Sequence, residues 1–267
     1  MCCSYGLNLD QLEEDGYTTV PEFLDLDTTR RIREHMDSLL PPIVKSTDEG
    51  NGKQLRGRWA LRHPIPGAIM AEILANDDLL DLARQSLHTH ELKLLEQVLI
   101  RSDPSQPPYG PLGWHVDFAF YPRQYEAVPR QTYFHMIHCL NTVLPGAAAF
   151  MIVPGSHHRT YGASAAMNTA EELTALKQNP VEIADIDVAK GIEVCPNEGD
   201  LLVFNPMAVH SGSGNAKDKP RYVYFSSFFD VSATELSQHL LDSGYHKGFP
   251  DSLRNHLSAE YLPLLDW

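Results

Sequence analysis

The stretch Gly113–Pro122, GWHVDFAFYP, places a histidine and an aspartate two positions apart inside a run of Trp, Val and Phe. In a β-strand, residues i and i+2 project from the same face. His115 and Asp117 therefore present one imidazole and one carboxylate together, out of an apolar setting. Such a pair is either a surface hydrogen-bonded couple or two-thirds of a metal site, and the segments around it decide which.

Before about residue 88 the pattern is mostly helical. LDQLEEDG is a short helix stopped by Gly16, and YTTVPEFL is a strand interrupted near Pro21. DLDTTRRIREHMDSLL is an amphipathic helix with Ile32, Met36, Leu39 and Leu40 on its apolar side and Pro41-Pro42 as its stop. PGAIMAEILANDDLLDLARQSLH is one or two more helices. From ELKLLEQVLIRS onward the character changes. WHVDFAF, TYFHMIHCL, AAFMIVPG, IEVCPNEGDLLVFN and PRYVYFSSFFD are short apolar or alternating runs divided by Gly, Pro and Asn. Many short strands with such turn signals predict a sandwich or barrel. SAAMNTAEELTALKQN is a helical insert between two strands, and the C-terminal segment reads as helix and coil packed outside. The expectation is one domain over residues 1–267: a helical layer over residues 1–88, a mostly β core over about 89–230, and helix and coil over 231–267.

The 267 residues carry a net charge of −14, with 43% hydrophobic and 21% charged side chains. That is a globular composition with a sizeable core. The acidic balance argues against nucleic acid and against an electrostatically held membrane protein. No apolar run approaches the ~18 residues of a membrane span, and no secretory leader is legible at the start. Cys2, Cys3, Cys139 and Cys195 have no CxxC spacing, which suits a reducing cytoplasm.

A second histidine, His210, follows a strand-like run in GDLLVFNPMAVHSGSG, and eleven residues later Arg221 heads the next strand. In a barrel these two can face the cavity that His115 and Asp117 face. Two histidines and one carboxylate form the facial triad of mononuclear non-haem Fe(II). That set leaves three coordination positions open for a chelating keto acid and dioxygen. A buried arginine such as Arg221 suits the keto acid's distal carboxylate.

His115-x-Asp117, His210 and Arg221, in that order and spacing, resemble the phytanoyl-CoA dioxygenase family of Fe(II)/2-oxoglutarate oxygenases. VPGSHH (Val153–His158) resembles the family's VPGSH turn, and EGDLLVFNPMAVHSGSGNAKDKPR (Glu198–Arg221) resembles its GD…F…HGSGPNRSDRPR segment. LEEDGYTTVPEFLD (Leu12–Asp25) resembles its N-terminal helix leading into DGY…V…FL. The resemblance runs from about Leu9 to Asp230. It implies a double-stranded β-helix (a cupin-like jelly roll) behind an N-terminal helical layer. It also implies Fe(II), 2-oxoglutarate and dioxygen, with ascorbate as reductant, and release of succinate and CO2.

The same resemblance implies His115, Asp117 and His210 as metal ligands and Arg221 as the co-substrate anchor. Gln97 matches a co-substrate position in similar enzymes, and Arg101 lies on the same strand. Three positions depart from the family: Gly212 replaces a small hydroxyl residue, Ile137 stands where Trp is common, and PGAAAF stands for ENGAM. Relatives that halogenate have Gly or Ala in place of the aspartate, so Asp117 favours hydroxylation or a related oxidation.

If Ile137 faces the cavity, Tyr133 and His135 do too and are substrate candidates. Phe118 joins them, because Phe118–Arg130 is aromatic-rich and, with the Pro/Gly loop before Trp114, forms the natural lid. QLRGRWALRHP, with Arg56, Arg58, Arg62 and His63, is either a lid for an anionic substrate or a solvated loop face. The expected substrate is a small metabolite, with secondary metabolism as a setting, since no basic patch suits a CoA tail. Three alternatives stand beside this reading: a metal-binding jelly roll without turnover, a structural or interaction module, and a cupin-type enzyme using another divalent metal without a keto acid. The cupin-type site has no need of Arg221.

Overall fold

The computed structural model describes residues 5–45, 57–62, 65–117, 123–127, 131–244, 249 and 251–266. Helix α1 (Leu9–Asp15) starts where Asn8 accepts a hydrogen bond from the Gln11 amide at 3.1 Å. It ends at Gly16, whose φ of 80° is left-handed. A Cβ at Gly16 would lie 2.6 Å from His157 Nδ1, so both conformation and space call for glycine. Strand β1 (Tyr17–Val20) follows, then α2 (Leu26–Leu39), capped by Asp25 accepting from the Thr28 amide at 2.9 Å. Ile32 and Met36 of α2 are fully buried, each burial contributing roughly 1.5–3 kcal/mol. Leu39, expected on the apolar face, is exposed at the last turn.

Strand β2 (Arg58–Arg62) falls in the segment read as lid or loop. Helices α3 (Ala68–Leu74) and α4 (Asp77–Leu87) complete the helical layer. Strands β3 (Leu92–Ser102) and β4 (Tyr133–Cys139) follow, then the short β5 (Phe150–Ile152). The insert holds α5 (Ser156–Ala165), α6 (Ala170–Gln178) and α7 (Pro180–Ile183). Strands β6 (Ile192–Val194), β7 (Leu201–Phe204), β8 (His210–Ser211) and β9 (Arg221–Asp230) complete the β core, and α8 (Thr234–Asp242) and α9 (Asp251–His256) close the chain.

The strands form two sheets, a major one in the order β1-β7-β4-β9-β3-β2 and a minor one in the order β6-β5-β8. Every pairing is antiparallel. This is the double-stranded β-helix architecture, with helices covering one side. The central strands of the major sheet are buried on both faces, and side-chain alternation sorts their residues. Leu99, Met136, Val203 and Tyr224 pack with the helical layer, in one cluster with Ile32 and Met70. Val98, Ile100, Ile137, Leu202, Phe204 and Val223 face the minor sheet, where they meet Phe150 and Ile152. Such two-sided burial explains why these strands read as nearly continuous apolar runs. A register shift between Leu94 and Glu96 in β3 resets its alternation against β9. Among the described residues, no helix is long and apolar enough to cross a membrane.

Candidate metal centre

WHVDFAF does not form a long strand among the described residues. It meets the minor sheet through a single antiparallel bridge, His115 to His210. The His115 amide donates to the His210 carbonyl, and the His210 amide donates back to the His115 carbonyl, both at 3.0 Å. Residues that exchange both bonds lie directly opposite with their side chains on one face. The backbone pairing therefore brings the two imidazoles together, with ring centroids 4.3 Å apart.

Each ring is held in one tautomer. His115 Nδ1 lies 2.9 Å from the Gly113 carbonyl and His210 Nδ1 lies 2.9 Å from the Ala208 carbonyl. A carbonyl oxygen only accepts, so both Nδ1 atoms carry the proton and both Nε2 lone pairs are free to ligate. Asp117 completes the set. Its Oδ2 is 3.2 Å from His210 Nε2 and its Oδ1 is 3.8 Å from His115 Nε2. Among the described residues, the ligand atoms of these three side chains form one cluster within 4.8 Å of one another.

Burial, and then the neighbouring His210, push the His115 pKa down. This keeps the ring neutral, as a ligand requires. Burial alone would raise the Asp117 pKa, but His210 and His135 outweigh it and hold the carboxyl well below its usual range. The backbone of Asp117 is fixed as well. Its amide donates to the Pro206 carbonyl at 2.8 Å, and its carbonyl accepts from the Tyr133 hydroxyl. The donor set, two neutral imidazoles and one carboxylate on one side of a space, fits a divalent metal of the non-haem iron type.

Arg221 shares a cavity with these three residues, walled by Ile100, Phe150, Phe204 and Phe225. One of its Nη atoms donates to the Ala148 carbonyl at 2.6 Å. Its Nε is buried without a partner. Burial lowers the Arg221 pKa from 12.5 to about 10, so the protein's own groups leave this cation poorly compensated. Gly212 and Ser213 also line the cavity, and the Ser213 hydroxyl donates to the Ala149 carbonyl at 3.1 Å.

Two expected co-substrate residues lie on the wrong face. Ile100 and Ser102 of β3 face the cavity, so Gln97 and Arg101 face the helical layer. Gln97 donates to the Tyr224 hydroxyl at 2.6 Å. Arg101 is tied to Asp103 at 2.7 Å and to Asp37 of α2 at 2.9 Å. Both are structural ties between sheet and helices. Tyr133 and His135 do sit on the metal side, but behind Asp117 and outside the cavity lining. His135 Nδ1 is 2.7 Å from the Ser227 hydroxyl, and its Nε2 points at Asp117 Oδ2 from 3.5 Å. His135 lies against the Asp117 carboxylate and Tyr133 against its backbone carbonyl, and neither lines the cavity. Phe118 lies outside the described residues, as do residues 119–122 and 128–130 of the expected lid.

The sequence did not single out Arg58 from its neighbours. It stands on β2 opposite Ser102 and lines the same cavity. The signal was present in RWALR, where Arg58 and Arg62 alternate with Trp59 and Leu61, but a polar edge strand resembles a loop.

Residues 12–223 match the family model described as phytanoyl-CoA dioxygenase (PhyH). No curated protein matches the chain. Solved structures share its fold. SnoN, described as a non-heme alpha ketoglutarate dependent epimerase from nogalamycin biosynthesis, is 20% identical with a TM-score of 0.58, over 83% of this chain and 80% of that one. SnoK, described as a carbocyclase of the same pathway, is 16% identical with a TM-score of 0.60, over 83% and 82%. HygX from Streptomyces hygroscopicus, solved with nickel and 2-oxoglutarate bound, is 15% identical with a TM-score of 0.55, over 84% and 88%. At such identities the likeness speaks for the fold alone.

Proposed function

The chain belongs to the phytanoyl-CoA dioxygenase family, and on that premise we propose that it is an Fe(II)- and 2-oxoglutarate-dependent oxygenase that hydroxylates an unactivated C–H bond of a small metabolite. One observation carries the reading: the free Nε2 atoms of His115 and His210, the Asp117 carboxylate and the uncompensated Arg221 guanidinium converge on one cavity. His115, Asp117 and His210 would hold the metal. With 2-oxoglutarate and dioxygen, bound Fe(II) supplies oxidative decarboxylation to succinate and CO2, and an oxidant strong enough to take hydrogen from carbon.

The protein's own residues do the rest. Arg221 binds the distal carboxylate of the keto acid through its unpaired nitrogens and so sets its orientation. The Gly113 and Ala208 carbonyls hold the two imidazoles in their ligating tautomer. Phe150, Phe204 and Phe225 exclude water from the reacting centre. The presence of Asp117 leaves no gap in the ligand set for a halide, which favours hydroxylation over halogenation. Cys139 and Cys195 are free thiols, in keeping with a reducing cytoplasmic setting. The fold neighbours described as acting in nogalamycin biosynthesis support a substrate from secondary metabolism.

The test is succinate formation from 2-oxoglutarate with Fe(II), ascorbate and dioxygen. Slow turnover without added substrate is expected from the native chain and none from His210→Ala. Equal succinate from both proteins, or none from the native chain at saturating metal, overturns the proposal.

A further inference from the structure

Four arginines stand on β2, β3 and β9, and they divide into two kinds. Arg62 is paired with Glu96 at 2.8 Å, and Arg101 with Asp103 and Asp37. Arg58 and Arg221 have no carboxylate partner among the described residues, and these are the two that line the metal cavity. Arg58 makes no hydrogen bond among the described residues either, whereas Arg221 has the Ala148 carbonyl.

The placement of Arg58 follows from the strand. It pairs with Ser102, and directly opposed residues share a face, so both look into the cavity. Trp59 takes the other face and donates from Nε1 to Asp103 at 3.0 Å. Arg58 is an exposed residue that borders this open space and lines the cavity. Burial first, then the like charge of Arg62, lower its pKa, and attraction to Asp117 opposes them. Its charge is felt at His115 and at Arg221 as well.

On the function proposed above, the metal, Asp117, a doubly charged 2-oxoglutarate and Arg221 together are neutral. Arg58 then leaves one positive charge facing the cavity with nothing to balance it. An arriving oxyanion balances that charge through charge-assisted, bidentate hydrogen bonds. We propose that Arg58 is the anchor for an oxyanion, a carboxylate or a phosphate, carried by the prime substrate, and that this enzyme selects acidic substrates by it. This inference rests on the oxygenase reading. It assigns the second unpaired arginine to the substrate as Arg221 is assigned to the co-substrate.

The experiment uses the full chain loaded with Ni(II) and saturated with 2-oxoglutarate. Benzoate, phenyl phosphate and benzamide are titrated by calorimetry into the native protein, Arg58→Gln, Arg58→Lys and Arg221→Gln. The native protein is expected to bind at least one of the two anions and to bind benzamide about tenfold more weakly or not at all. The stronger anion tells carboxylate from phosphate. Arg58→Gln should lose anion binding by about tenfold or more while its 2-oxoglutarate affinity moves less than about twofold. Arg58→Lys should fall between. Arg221→Gln should show the opposite pattern. Three results overturn the proposal: neither anion binding the native protein, benzamide binding as well as the anions, or Arg58→Gln weakening 2-oxoglutarate as Arg221→Gln does. If 2-oxoglutarate itself fails to bind the native Ni(II) protein, the oxygenase reading falls. The anion titrations, run without the keto acid, then judge Arg58 separately.

Discussion

Replacing Arg221 with methionine should make the ligand-free protein more stable while removing its hold on the keto acid. The guanidinium's pKa falls from 12.5 to about 10, chiefly through burial. At ~1.4 kcal/mol for each pH unit of that fall, it amounts to about 3.5 kcal/mol of unfavourable charge burial at neutral pH. Methionine removes this cost and fills much of the same volume. It also forfeits the charge-assisted hydrogen bond to the Ala148 carbonyl, worth about 2 kcal/mol, so the net expectation is a gain of about 1.5 kcal/mol. With Ni(II) and 2-oxoglutarate present the order reverses. At a hundred times its dissociation constant a ligand stabilises the native state by ~2.7 kcal/mol. The native protein should gain that amount and Arg221→Met should gain almost none. Urea titrations of both proteins, with and without the keto acid, read all four values. A variant less stable than the native chain when ligand-free, or equally stabilised by 2-oxoglutarate, would refute the assignment of Arg221 as an unbalanced cation awaiting a carboxylate.

Further outcomes follow from the same geometry. Asp117→Ala should cost more in metal affinity than the ~10–100-fold typical of an outer-shell change, whereas His135→Leu, which only buttresses Asp117, should fall within that range, as measured by competition with a chromophoric chelator. Acid should destabilise the metal-free protein through two buried histidines. Burial lowers the His138 pKa to about 3 and, with His158 adding to it, lowers that of His157 to about 4. The unfolded chain binds these protons first, so stability is whole above pH ~6.5 and falls as pH drops toward the folded values, by up to ~1.4 kcal/mol per pH unit for each ring. Urea midpoints at pH 7, 6 and 5 check this, and a flat profile contradicts it. Gly199→Ala should cost over about 2 kcal/mol in the same assay. Its φ is +91°, and a Cβ would lie 2.5 Å from the Leu24 carbonyl oxygen.

Part of the candidate metal site was legible in the sequence where a short-range rule governs direction. His115 and Asp117 follow the two-residue period of extended chain, and Arg221 heads a strand announced by its alternating successors. The helical layer was legible for the same reason, through capping residues such as Asp25 and the left-handed stop at Gly16. What failed was phase. Nothing in LKLLEQVLIRS says which alternate set faces the metal, because both faces are buried and both read as apolar. The tie of Arg101 to Asp37 and Asp103 could not be foreseen from spacing alone, since Asp37 comes from a helix 64 positions away. Strand β2 was missed because an edge strand bearing arginines looks like solvated loop, and the place of Arg58 was missed with it.

The bridge between His115 and His210 has one more consequence. Along this stretch the same two residues are each other's backbone partners and the holders of two of the three donor atoms. An ion seated there would reinforce this pair of amide hydrogen bonds, beside those from the Leu112 amide to the Gly212 carbonyl and from the Asp117 amide to the Pro206 carbonyl. Capturing the metal then tightens the His115–His210 pairing within a segment, Pro111 to Asp117, that backbone bonds already tie down at both ends. Stripping the ion with a chelator should speed deuterium uptake at the amides of His115, Asp117 and His210 well before the major sheet responds.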